Sequence, residues 1–108
     1  MRPAIAALLF ATLPALAACT TPAPQFFGAT RHTVSRGGID FVVFHRGSRA
    51  EVVRLGYLAR RDRDRVPALM AEAAGIATGC RVIANSMTTR LPGDTGEARF
   101  DLDCRVPG

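Results

Sequence analysis

Residues 39–46, IDFVVFHR, carry apolar side chains on both faces of any strand they form: Ile39, Phe41 and Val43 on one, Val42 and Phe44 on the other. A strand apolar on both faces belongs in the middle of a sheet. The preceding segment, TRHTVSR at 30–36, alternates and is joined to it by Gly37-Gly38, a pair suited to the positive-φ turn of a tight hairpin. In that register Val34 faces Phe41 and His32 faces Val43. After a turn at 46–48, the segment RAEVVRLGYL (49–58) is pulled two ways. Ser48-x-x-Glu51 resembles a capping box, but Val52, Val53 and Tyr57 favour a strand and Gly56 weakens a helix, so the alternation predicts a third strand over 49–58.

Residues 60–79 read as the helix. Val66, Leu69, Met70, Ala73 and Ala77 recur at helical spacing, Asp62 and Asp64 stand where a helix N-terminus favours anions, Pro67 is tolerated in a first turn, and Gly79 is a stop. Two further strands are expected at CRVIANS (80–86) and ARFDLDC (98–104). One antiparallel offset sets Cys80 opposite Cys104, Val82 opposite Leu102, Ala84 opposite Phe100 and Arg81 opposite Asp103. The predicted fold is α+β, a small βββαββ domain: a mostly antiparallel sheet with one helix packed on one face and one disulfide. Strand neighbours between the two halves are left open by the pattern.

The first eighteen residues combine an early charge, Arg2, with an apolar run from Ala4 to Leu16 and small residues before Cys19, the layout of an export signal. The run is interrupted by Pro14 and falls short of the about 20 apolar residues of a membrane span. Leu16-Ala17-Ala18-Cys19 resembles the lipobox of bacterial lipoproteins. The resemblance implies a signal peptide over 1–18, palmitate-type acylation of Cys19, and a mature protein anchored to a membrane of the cell envelope. Thr20 stands where inner-membrane lipoproteins of enteric bacteria carry Asp, which by analogy favours the outer membrane facing the periplasm. Residues 19–29 then read as the lipidated N-terminus and an extended tether, shaped by Pro22 and Pro24, and 30–108 as a single domain. Ten extended residues reach roughly 33–36 Å. Phe26 and Phe27 are expected to dock on the domain.

With Cys19 assigned to lipid, Cys80 and Cys104 form an even pair in an oxidising compartment, where a structural disulfide is expected rather than a redox-active pair of CxxC spacing. All 14 basic residues are arginine and the formal charge is +5. Such a charge would raise nucleic acid as a partner, but export removes it and redirects the attraction to lipid phosphates, lipopolysaccharide or cell wall. Arg31, Arg36, Arg46 and Arg49, around the first two turns, are the candidates for an anionic ligand.

No catalytic residue, metal site or cofactor is expected. His32 and His45 share a face of the first hairpin, but no nucleophile elbow, phosphate loop or HExxH helix accompanies them. Asp101 and Asp103, two apart on a strand, read as a surface ion-pair cluster with Arg81 and Arg99. The expected function is a non-enzymatic envelope lipoprotein that serves as a membrane-tethered binding or assembly module. Alternatives are a binder of anionic envelope ligand and, last, a small hydrolase using His32 or His45.

Overall fold

The computed structural model describes residues 20–108; Cys19 and the lipobox lie outside the described residues. It shows a small α+β domain in which five antiparallel strands, β1 (Thr30–Arg36), β2 (Ile39–Arg46), β3 (Arg49–Arg54), β4 (Cys80–Val82) and β5 (Glu97–Pro107), form a curled sheet. The order across the sheet is β1-β2-β3-β5-β4, so β3 is central and the two halves join through an antiparallel β3–β5 pair. The helix α1 (Val66–Thr78) covers one face.

The first hairpin has the expected register, with Val34 across from Phe41 and His32 from Val43. Gly37 and Gly38 both have positive φ, 62° and 78°, as its two-residue turn requires. At Gly37 space is a second constraint, since a Cβ there would meet the Leu69 side chain at 2.8 Å, while Arg65 Nη1 donates to the Gly37 carbonyl at 2.8 Å. The hairpin turn is thereby locked to the start of the helix.

β5 runs from Glu97 to Pro107, beyond the expected 98–104 at both ends, and three other elements differ from expectation, each for a local reason. β3 ends at Arg54 rather than 58, because the chain turns at Gly56 (φ 81°), and this leaves Leu55 and Tyr57 exposed. Arg60–Asp62 is a separate 3-10 turn, and α1 starts only at Val66, with Pro67 in its first turn and no acidic residue there. β4 stops at Val82. Ile83 N–H still bonds the Asp101 carbonyl, but Asn85 then takes a left-handed φ of 61°, and a single bridge, Thr88 to Arg99, replaces the expected Ala84–Phe100 pair.

Arg81–Asp103 and Val82–Leu102 pair as expected, whereas an irregularity after Cys80 sets that residue across from Pro107 instead of Cys104. The two cysteines are nonetheless bonded, with Cα atoms 4.4 Å apart. Closing a loop over a separation of 24 residues stabilises by about 3.5 kcal/mol on the chain-entropy argument.

The helix-side core joins Phe41, Val43, Ala50, Val52, Ala98 and Phe100 of the sheet to Val66, Met70, Ala73 and Ala74 of α1. The opposite face has its own core, in which Val42 and Phe44 are covered by Ala23 and Phe26 of a 3-10 turn at Pro24–Phe26. Residues 23–29 are therefore packed on the sheet as a strap, in place of the extended tether that two prolines suggested. Phe26 is 1% exposed and Phe27 is 56% exposed, so the expected docking holds for the first phenylalanine and not the second. Phe26→Ala should lower unfolding free energy by about 3 kcal/mol in urea denaturation, and Phe27→Ala by under about 0.5 kcal/mol. Equal losses would contradict a strap seated by one ring.

Candidate functional site

The strap is held by a hydrogen bond as well as by Phe26. Ala23 N–H donates at 2.9 Å to Oε1 of Glu51, a β3 residue only 2% exposed. The even positions of β3 face the helix, so Glu51 faces the strap. Val42 and Phe44 flank it from β2, and residues 23–26 cover it. Glu97 of β5 lies on the same face, where its Oε1 accepts Arg90 N–H at 3.1 Å and stands 3.9 Å from Arg99 Nη2. Among the described residues, Glu51 Oε2, Glu97 Oε2 and Arg99 Nε are buried without a hydrogen-bond partner.

Two carboxylates cannot both stay ionised in such a place at no cost. Burial pushes the Glu51 carboxyl above its ordinary range; the Ala23 N–H opposes this, while a hydrogen bond and like charge from Glu97 add to it and Arg99 opposes again. A proton on one carboxyl supplies the donor that the two Oε2 atoms otherwise lack. A cleft of about 400 Å³, lined by Thr21, Pro22, Pro24, Glu51, Arg90 and Glu97 among others, opens beside the pair.

Three of the four candidate arginines gather on the strap side. Arg46 Nη1 donates to the carbonyls of Gln25 (3.2 Å) and Phe27 (3.1 Å). Arg31 lies with its guanidinium 5.7 Å over the Phe44 ring and reaches the Thr20 carbonyl at 3.4 Å. Arg49 pairs with Arg46 across the turn and is 3.3 Å from Asp101. Arg36 stands apart: it is on the helix side, at the far end of the hairpin, in a 2.7 Å ion pair with Glu72 of α1. Anchoring the helix, not contributing to a shared cationic surface, is what its position allows.

His45, Cys80 and Cys104 meet at the other face of the β2–β3 turn, while His32 stays on the edge strand β1. His45 lies diagonally across the β1–β2 pairing from His32, on the helix-side face, and its Nε2–H donates to the Gly47 carbonyl at 2.8 Å. That bond leaves Nδ1 with the free lone pair. One ring nitrogen of His45 and the sulfurs of Cys80 and Cys104 lie within 4.8 Å of one another. Cys104 is exposed and borders a cleft of about 450 Å³ with Ser48, Ile83, Asp103 and Arg105. Asp103 is held below the usual carboxylate range by hydrogen bonds from Arg105, with Arg81 adding to the effect. Arg81 pairs with Asp103 as expected, at 3.4 Å, whereas Asp101 pairs with Arg49 and Arg99 turns to Glu97.

Glu51 was not legible as a site. In sequence it is one charged residue in a strand with an exposed face, and only the strap makes that face interior. No family model matches this chain, and comparison with curated proteins and with solved structures found no match. Among the described residues no helix is long and apolar enough to cross a membrane.

Glu51 carries a sign that can be measured. Its folded-state pKa is raised, so folding favours the protonated form; this stability is fully present below the unfolded value near 4.5 and is lost as pH rises through the folded value. Glu51→Gln keeps an acceptor for Ala23 N–H and offers Glu97 a permanent donor. The difference in unfolding free energy between variant and wild type should therefore shift in favour of the variant as pH increases from 4 to 8, and the variant should be at least as stable at pH 7. A difference independent of pH would show that Glu51 is ionised throughout.

Proposed function

We propose that the protein is a non-enzymatic envelope lipoprotein whose domain is held close against the membrane that carries its Cys19 anchor, as a binding or assembly module. The supporting observation is the strap. Ala23 is fixed to Glu51 and Phe26 is sunk into the sheet, so the free chain between Cys19 and the domain spans only residues 20–22. From Cys19 to Ala23 that is about 14 Å at full extension, less than half the reach of a free tether. Partners of such a module lie at the membrane surface.

The surface beside the strap suits that position. Arg46 bonds the carbonyl of the exposed Phe27, and Arg31 and Arg49 lie on the same face of the sheet; cationic groups on the same face as an exposed aromatic ring favour an anionic lipid interface. A second reading is a soluble anionic ligand, lipopolysaccharide or cell-wall polymer, bound by the same arginines. Its support is the Arg46–Arg49 pair facing a cleft of about 360 Å³.

Metabolic labelling with an alkyne fatty acid should mark wild type and not Cys19→Ala, and the variant should move from the membrane to the soluble envelope fraction. An unlabelled, soluble wild type would end the lipoprotein reading. A photo-crosslinking residue at position 27 in the acylated protein should capture a membrane component, while one at position 72, on the helix, should not. Capture from position 72 alone would place the working surface on the wrong face. Salt-sensitive capture of glycan at position 27 would select the second reading.

A further inference from the structure

We propose that the reduced form of this protein binds one copper(I) ion through the thiolates of Cys80 and Cys104 and the imidazole of His45. The three ligand atoms already lie within 4.8 Å of one another, on three different elements: the end of β2, the start of β4 and the middle of β5. Two of these atoms are joined as the disulfide in the oxidised form, so reduction is needed to free them as donors. Cα atoms 4.4 Å apart keep both sulfurs within reach of one metal at a metal–sulfur distance of about 2.3 Å.

Three features favour a metal over an idle neighbour. First, metal-ligating histidines ordinarily donate their second ring nitrogen to a carbonyl or carboxylate, which fixes the tautomer and aims the lone pair. His45 has that bond, from Nε2 to the Gly47 carbonyl, and it is made within the tight turn that ends β2. Second, the site is buried on one side and open on the other: Cys80 is 5% exposed, whereas Cys104 is open to the cleft beside Ser48 and Ile83. Third, the donor set is two thiolates and one imidazole. Soft sulfur ligands select copper(I), and three donors suit its low coordination number, whereas zinc would demand a fourth ligand.

The disulfide and the ion exclude each other. A dithiol donor supplies two electrons and two protons; the Cys80–Cys104 bond breaks to two thiols, and the donor leaves as its own disulfide. Copper(I) then displaces the two thiol protons to solvent and forms two Cu–S bonds and one Cu–N bond. Oxidation of the two thiolates to the disulfide, with two electrons passing to an oxidant of the disulfide-forming class, releases the ion. This site is independent of the membrane reading above.

The test is an anaerobic titration of the mature protein, reduced with a phosphine, against copper(I) held by a chromophoric bidentate chelator. Reduced wild type should withdraw one equivalent, the oxidised protein none, and reduced His45→Ala should bind about 10–100-fold more weakly. X-ray absorption of the loaded protein should show two sulfur and one nitrogen donor. Oxidised His45→Ala with an unchanged thermal midpoint controls for folding. If reduction loosens the wild-type domain, one equivalent of copper(I) should raise its thermal midpoint and fail to do so in His45→Ala. Equal affinity of the reduced wild type and His45→Ala, a sulfur-only coordination shell, or tighter binding of zinc than of copper(I) would each overturn the proposal.

Discussion

The structure depends on covering both faces of β2. Phe41 and Val43 point one way and Val42 and Phe44 the other, and all four are essentially removed from water. One helix can cover only one face of a sheet. The second cover comes from residues 23–29, and the chain that would otherwise be a free leader to the domain becomes part of its core. Each buried phenylalanine contributes on the order of 2–3 kcal/mol, so a small domain with one helix has reason to recruit every nearby apolar residue.

That recruitment has an electrostatic consequence. A strap laid across β3 buries whatever β3 presents on that face, and β3 presents Glu51. The cost is lowered in two ways: Ala23 donates its backbone N–H to one carboxylate oxygen, and Glu97 with Arg99 forms a local network in which a proton can be shared. A leucine at position 51 would pack against Phe26 and Val53 without this penalty, but it would leave Ala23 N–H unbonded. The glutamate fixes one point along the sheet where the strap is seated, because it is the β3 side chain that bonds the strap backbone at Ala23.

How much of this was legible follows from where the information sits. The first hairpin was readable because alternation, two glycines and their spacing all agree on one register. The Arg81–Asp103 and Val82–Leu102 pairs were readable for the same reason. The irregularity after Cys80 was not, because it arises from joining a helix that ends in a left-handed Gly79 (φ 71°) directly to a strand. The strap was hidden by Pro22 and Pro24, which argue for extended chain; in the structure Pro24 instead opens a 3-10 turn that aims Phe26 inward. Arg36 is near a turn in sequence, as Arg46 and Arg49 are, yet it stands apart from them, paired with Glu72 of the helix. The β1–β2 turn and the β2–β3 turn lie at opposite ends of the hairpin, and successive residues face opposite sides.

The β2–β3 turn, Gly47-Ser48, is where the two halves of the molecule's chemistry meet. On one side its flanking arginines, Arg46 and Arg49, line the cleft beside Phe26; on the other the Gly47 carbonyl accepts from His45, which lies beside the cysteines, and the Ser48 carbonyl accepts Leu102 N–H at 2.8 Å. A two-residue turn has no slack to let one side move alone. The strap is bonded to Arg46 through the Gln25 and Phe27 carbonyls, so displacing residues 25–27 pulls on the same turn that holds His45. Mechanical continuity therefore runs from the segment nearest the anchor, through Arg46 and the turn, to the sulfur corner, without passing through the helix. The helix is tied to the same corner from its own end, because Cys80 directly follows the Gly79 cap of α1 and its N–H bonds the Thr78 hydroxyl at 3.1 Å.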